Sequence, residues 1–323
     1  MAGDERLNKL YARALRIAAK TGSGPLLAVD APPDLSVGLA GRWSRYHAND
    51  DAAKVWPEGQ FNGAVIRLNR VREATQLAVA AALSCMPQGG PVIVFGFNDE
   101  GIRSTRSIAD LAFETVEAGS HGRVLIAKAP EGPRSGVGAT LQAWLRTGPM
   151  PLPSGIRERW SSYPGCFARG TLDAGTALLL ATLDDRPPPV RVLDYAAGTG
   201  PIAEEAASRW PAASVFGIEM DAIALAAARQ NAPRCRFVLG SDLSALPGTF
   251  DLILSNPPFH VSRPREDAIW RQLIQDAPGR LERGGELRMV VQREVPAEPT
   301  LREAFKTVQR VAQTSGYDVW SAR

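Results

Sequence analysis

The feature that most constrains this chain is a short apolar run that opens onto glycines and then onto a helix. Val190–Tyr195 reads as a buried strand, Ala196-Ala-Gly-Thr-Gly200 as a tight turn, and Pro201–Arg209 as a helix. A strand that hands over to a helix in this way predicts an α/β sheet whose strands run mostly parallel. The alternation continues through strand Ser214–Glu219, helix Asp221–Gln230, strands Arg236–Leu239 and Phe250–Ser255, and a helix over 265–280. Strand Glu286–Gln292 follows a Gly284-Gly285 turn, and Thr307–Gln313 with Tyr317–Ala322 predict a closing antiparallel hairpin. Upstream, Leu172–Leu183 predicts a helix with Asp173 in its first turn.

The first half repeats this logic less cleanly. Leu7, Leu10, Tyr11, Ala14, Leu15 and Ala18 form one stripe of a helix over 5–20. Strands are expected at Leu26–Asp30, Ala64–Leu68, Pro91–Gly96 and Gly122–Ala127, with helices over 71–85 and 102–117. Prolines and glycines crowd 129–164, which reads as a linker, so the domains are placed at 1–160 and 161–323. A strand, a glycine-bearing turn and a helix in both halves suggest a duplication in which only the second copy kept its chemistry.

Composition bounds the function. At 323 residues the chain is long enough for two domains, and 45% hydrophobic with 22% charged residues excludes a disordered protein. No apolar run approaches the roughly 20 residues that cross a bilayer. The opening Met-Ala-Gly-Asp-Glu-Arg puts acid where a signal peptide is basic, so a cytoplasmic protein is expected. Cys85, Cys166 and Cys235 form no Cys-x-x-Cys pair, and His47 and His121 stand alone, so no metal site is expected. A net charge of +3 does not announce a nucleic-acid binder, although the first half is net positive and the second net negative, and arginine supplies most of the basic residues. Arg67, Arg70, Arg72, Arg103 and Arg106, with Arg263 and Arg265, are candidate phosphate contacts, but solvated surface charge is the commoner fate of such residues.

Two constellations carry chemistry. The first is Asp194, the turn with Ala197, Gly198 and Gly200, and then Glu219-Met220 at the end of the next strand. Glycines let a backbone approach a ligand closely. A carboxylate at Glu219 can accept both hydroxyls of a ribose beyond the strands' carboxyl ends. Asp242, followed by Leu243, can accept from an adenine amino group. At this point the ligand is either NAD or S-adenosylmethionine. The second constellation chooses between them. Asn256-Pro257-Pro258-Phe259-His260 follows a buried strand directly. Two prolines fix φ twice and remove two donors, so the Asn256 side-chain oxygen and the Pro257 carbonyl can accept from one planar NH₂ group. Phe259 offers a face for a flat ring. Nicotinamide chemistry has no use for such a loop.

With these motifs the sequence resembles class I S-adenosylmethionine-dependent methyltransferases that act on an exocyclic or amide nitrogen. More closely it resembles the bacterial rRNA guanine-N2 methyltransferases of the RsmC/RlmG type. Further marks are Phe95-Gly-Phe-Asn98, Pro164-Gly-Cys-Phe167-Ala-Arg169, Leu172-Asp173-Ala-Gly175 and Gly284-Gly-Glu-Leu-Arg. The resemblance covers most of 60–323. It implies two tandem Rossmann-like methyltransferase domains, the first degenerate and positioning RNA, the second catalytic. It also implies S-adenosylmethionine as cofactor, rRNA or a ribosomal subunit as partner, and Asn256, Pro257 and Phe259 as catalytic residues. Phe167, Arg169, His260 and Arg103 are the substrate candidates. The reaction it implies is an SN2 methyl transfer that needs no metal.

One departure stands out. Ala196 occupies the first glycine of the family's turn, and a φ above zero there would cost on the order of 1 kcal/mol, expected to fall on cofactor affinity. Adenine N6 or a protein glutamine amide are alternative acceptors. The glutamine enzymes more often carry Tyr where Phe259 stands and a helical first domain. A non-catalytic RNA-binding or assembly protein is favoured only by Ala196.

Overall fold

The structure is a computed structural model. It describes residues 2–21, 24–31, 40–47, 53–119, 121–131, 140–184, 186–258 and 264–323. The chain forms two compact units, Met1–Leu145 and Arg146–Arg323.

The first unit runs α1 (Ala2–Thr21), β1 (Leu26–Val29), β2 (Gly41–Trp43), β3 (Gly63–Arg67), α2 (Arg72–Ser84) and β4 (Pro91–Phe97). Then come β5 (Ser107–Ile108), β6 (Leu111–Ala112), β7 (Glu114–Ala118) and β8 (Gly122–Lys128). Its described strands form a sheet in the order β2-β1-β3-β4-β8-β7, parallel through β4 and antiparallel after it. The stripe of α1 buries Leu10, Tyr11, Ala14 and Ala18 against Ile93, Phe95 and Val124. The helix expected over 102–117 is not there. A 3-10 turn at Ile102–Ser104, the β5–β6 hairpin and β7 take its place. Ser104, Thr105, Ser107 and Asp110 compete for backbone hydrogen bonds and weaken a helix interior. Thr115 and Val116 suit an edge strand, and Glu114 and Glu117 keep that edge from pairing with another chain.

The second unit begins with β9 (Arg146–Leu152) and β10 (Gly155–Ser162), a hairpin in the segment expected to be a linker. It is knitted to the helices that follow. The Ser154 N–H donates to Glu205 (3.0 Å), Arg157 to Glu204 (2.9 Å), and Asn231 to both Ser161 O and Thr199 O (2.9 Å each). These long-range contacts move the boundary to Leu145, fifteen residues before the expected one.

The rest is α3 (Ala174–Ala181), β11 (Arg191–Tyr195), α4 (Pro201–Arg209), β12 (Ser214–Glu219), α5 (Ala222–Asn231), β13 (Arg236–Leu239) and β14 (Phe250–Ser255). It closes with α6 (Pro264–Asp276), β15 (Leu281–Gln292), α7 (Ala297–Ala304), β16 (Val308–Gln313) and β17 (Tyr317–Ala322). The sheet order is β13-β12-β11-β14-β15-β17-β16, parallel through β15 with an antiparallel closing pair. Strand order reverses between β11 and β14, and ligands of open α/β sheets bind beyond the carboxyl ends of the strands at such a point. Buried cores line both faces. Gly284 and Gly285 lie within β15 at a register shift against β14, rather than in a turn before it. Asp173 and Asp221 stand one residue before α3 and α5 as N-caps, so both helices start later than expected. Helix α7 was not expected. Its Pro299 sits in the first turn, where the missing N–H has no helical partner to lose.

Candidate active site

The turn after β11 is left-handed three times. Ala196 has φ 59°, Gly198 56° and Gly200 89°. A Cβ on Gly200 would meet Ala228 at 3.3 Å, so this glycine also lets α5 pack close. A Cβ on Gly198 would meet nothing within 4 Å, so that face of the turn is open. Ala196 holds its Cβ in the left-handed region, a conformation that costs an L residue about 1–2 kcal/mol.

Two buried acids fix the turn. Asp194 Oδ2 accepts the Ala203 N–H at 3.0 Å and so serves helix α4, whose N-cap Gly200 has no side chain. Its Oδ1 has no hydrogen-bond partner among the described residues, and burial pushes the carboxyl up to about 8. At the end of β12, Glu219 Oε2 accepts the Gly198 N–H (2.7 Å) and Oε1 accepts the Asp221 N–H (2.8 Å). Burial, aided by the nearby Asp221 charge, pushes Glu219 up to about 7. Behind the turn, Trp160 of β10 donates to Thr199 Oγ1 at 3.1 Å. Tyr195 donates to Ser241 O (2.9 Å), tying β11 to the segment before Asp242. Asp242 is exposed and accepts the Ser244 N–H at 2.7 Å, and these hydrogen bonds hold its carboxyl below the usual range. Leu243 and Ala197 are buried and Met220 is half-buried. An open left-handed turn beside a buried carboxylate, with a second acid one strand further, fits the nucleoside end of S-adenosylmethionine.

The adjacent strand carries the polar acceptor. Asn256 follows β14 directly, and its Nδ2 donates to Asp173 Oδ2 (3.0 Å) and Thr176 Oγ1 (2.9 Å). Asp173 Oδ2 also accepts the N–H groups of Gly175 (2.9 Å) and Thr176 (3.1 Å), as the cap of α3. Asp173 Oδ2 thus sits among N–H donors, which sets the amide nitrogen of Asn256 toward it and leaves the amide oxygen for a ligand. The sequence puts Asp173 in the first turn of a helix but does not show this role. A cap before Ala-Gly-Thr was legible, whereas its contact with a residue 83 positions on was not.

Pro257 is buried and Pro258 half-buried, while Phe259 and His260 lie outside the described residues, as does Arg263. Phe167 is 64% exposed on a segment whose next three residues, Ala168, Arg169 and Gly170, all have positive φ (51°, 52° and 79°). Arg169 is exposed. Arg103 is exposed and belongs to the first unit.

The family model of the methyltransferase small domain matches residues 159–321. The chain belongs to the methyltransferase small domain family. Among similar proteins, the ribosomal RNA small subunit methyltransferase C of Ectopseudomonas mendocina is 30% identical over 94% of this methyltransferase and 96% of its own length. That of Alcanivorax borkumensis is 37% identical over 50% of this chain and 51% of its own. A solved structure, the T. thermophilus 16S rRNA N2 G1207 methyltransferase (RsmC) in complex with AdoMet and guanosine, superposes with a TM-score of 0.77. It covers 98% of this methyltransferase and 91% of its own chain at 22% identity, so the two-domain fold is shared along the whole length.

Proposed function

We propose that this methyltransferase transfers a methyl group from S-adenosylmethionine to the exocyclic N2 of a guanine in small-subunit rRNA. The observation that carries the reading is the fixed orientation of Asn256, whose NH₂ is taken by Asp173 and Thr176. Its Oδ1 and the Pro257 carbonyl then accept from the two hydrogens of the target amine. A guanine N2 is a weak nucleophile because its lone pair is delocalised into the ring. Two acceptors that strengthen as the nitrogen becomes cationic stabilise the transition state electrostatically. The cofactor supplies a methyl already activated on a sulfonium, so alignment does most of the remaining work. Asp194, Ala197, Gly198, Gly200, Glu219, Met220, Asp242 and Leu243 hold it, with Glu219 accepting from the ribose. Phe259 stacks on the base, and Phe167, Arg169, His260 and Arg103 serve the substrate. The first unit positions the RNA. The names of the relatives and the presence of Phe at 259 favour rRNA over adenine N6 or a glutamine amide as acceptor. Action on rRNA would place its work in the cytoplasm.

The test is transfer of labelled methyl to small subunits, free rRNA, tRNA and total protein, followed by nucleoside analysis. Label in N2-methylguanosine from small-subunit rRNA is the expected result. Label in protein or in N6-methyladenosine would overturn the acceptor.

A further inference from the structure

The two sheets share a strand plan. Beyond β11 the second sheet continues with β14 and β15 and then an antiparallel pair; beyond β1 the first sheet continues with β3 and β4 and then an antiparallel pair. Strand β3 thus holds the place of β14. The segment Leu68-Asn69-Arg70-Val71 after β3 holds the place of Asn256 and the prolines after β14. A cavity of about 230 Å³ lies there, bounded by that segment, the start of α2 and the turns after β4.

Its chemistry has changed sign. Arg70, Arg72 and Arg106 line it together with Asn69, Ser104 and Ser107. The acid in the wall, Glu100, is already engaged: Arg67 binds it at 2.6 Å and the Phe97 N–H donates to it at 2.8 Å. Arg70 meets Asp99 at 3.2 Å across the exposed rim. Arg72 and Arg106 have no carboxylate within ion-pair distance among the described residues. A sulfonium cofactor would be repelled here, so the cavity is not a second methyl-donor site. Guanidinium forks match phosphate oxygens bidentately, and three of them around one recess are suited to a phosphate ester.

We propose that this cavity is a phosphate site of the first unit, occupied by a backbone phosphodiester of the RNA substrate. The proposal deepens the RNA reading above and rests on it for the source of the phosphate. The same oxyanion chemistry would admit the phosphate of a free nucleotide, and the test separates the two.

The full-length protein is compared with Arg72→Gln/Arg106→Gln, with Arg72→Lys/Arg106→Lys, and with the charge control Lys128→Gln. Lys128 pairs with Pro91 at the opposite end of β4. Three readouts are taken: binding of small-subunit rRNA between 50 and 200 mM salt, binding of guanosine monophosphate and inorganic phosphate, and S-adenosylmethionine binding with thermal unfolding. For the Gln pair the expected result is at least about ten-fold weaker RNA binding, with a salt slope shallower by about 1.4–1.8 for two lost phosphate contacts. The Lys pair should recover most of the affinity, and the control should match wild type. Cofactor binding and unfolding should not move in any variant. Micromolar binding of guanosine monophosphate that the Gln pair abolishes, with RNA binding intact, would keep the phosphate site and overturn its RNA occupant. Unchanged RNA affinity and slope, with no phosphate binding lost, would overturn the site. A wild-type protein that binds phosphate through these arginines but does not bind rRNA would instead refute the RNA reading.

Discussion

Asn256 and Asp173 meet at 3.0 Å, amide nitrogen to carboxylate oxygen, although they stand at the end of β14 and the start of α3. The contact turns a helix cap into a device that aims the Asn256 carbonyl. Thr176 completes it at 2.9 Å. Thr176→Val keeps the shape and removes one acceptor. It should lower kcat by about five- to ten-fold, the scale of one net hydrogen bond, with S-adenosylmethionine affinity unchanged. Thr176→Ser should restore the rate. Steady-state kinetics with separate cofactor titration checks this, and a loss confined to KM would contradict it.

Ala196 holds its Cβ in the left-handed region of the turn, at φ 59°. Ala196→Gly removes that strain, partly offset by the greater chain entropy of glycine, for a net gain of about 0.5–1 kcal/mol. Denaturant unfolding of the second unit should shift to higher concentration, while cofactor Kd stays within about two-fold of wild type. A large gain in affinity with no change in stability would place the cost on binding after all.

Burial, with the nearby Asp221 charge, pushes the Glu219 carboxyl up to about 7. In the proposed role a ribose diol donates to this carboxylate, which favours the ionised form. Cofactor affinity should rise as pH increases from 6 to 8, and binding below pH 7 should release protons. Calorimetry in buffers of different ionisation enthalpy measures that release. Proton uptake would contradict the assignment.

Asp194 has a native pKa of about 8, above its unfolded value of about 3.9. Across that window the native state holds the extra proton, so the ligand-free protein should lose stability as pH rises through 8 and level off above it. Asp194→Asn retains an acceptor for the Ala203 N–H and cannot ionise. Its unfolding midpoint should fall less between pH 7 and 9 than that of wild type, with the Glu219 contribution remaining near 7. An equal slope in both proteins would remove Asp194 as the cause.

The second unit was legible because its signals are local. β-branched runs, Gly198 and Gly200, and Asn256 with its prolines each declare a strand end or turn within a few residues. Three things were not legible, for one shared reason. The β9–β10 hairpin reads as a linker because Pro149, Pro151 and Pro153 mask strands held by Asn231, Glu204 and Glu205 far along the chain. Within 102–117, β5 and β6 pair with each other and β7 follows its pairing with β8, against a weak helical pattern. The Asp173–Asn256 contact exists only once α3 packs beside β14. Each depends on a tertiary partner that no window of sequence contains.

The central claim is that Asn256, aimed by Asp173, stabilises the amine in the transition state. The direct measurement is single-turnover methyl transfer by Asn256→Ala, with S-adenosylmethionine binding measured on the same sample. A rate lower by at least about 100-fold, the scale of one lost transition-state hydrogen-bond partner, with cofactor Kd within two-fold of wild type, is the predicted result. Transfer at the wild-type rate by a variant that still binds cofactor would contradict it.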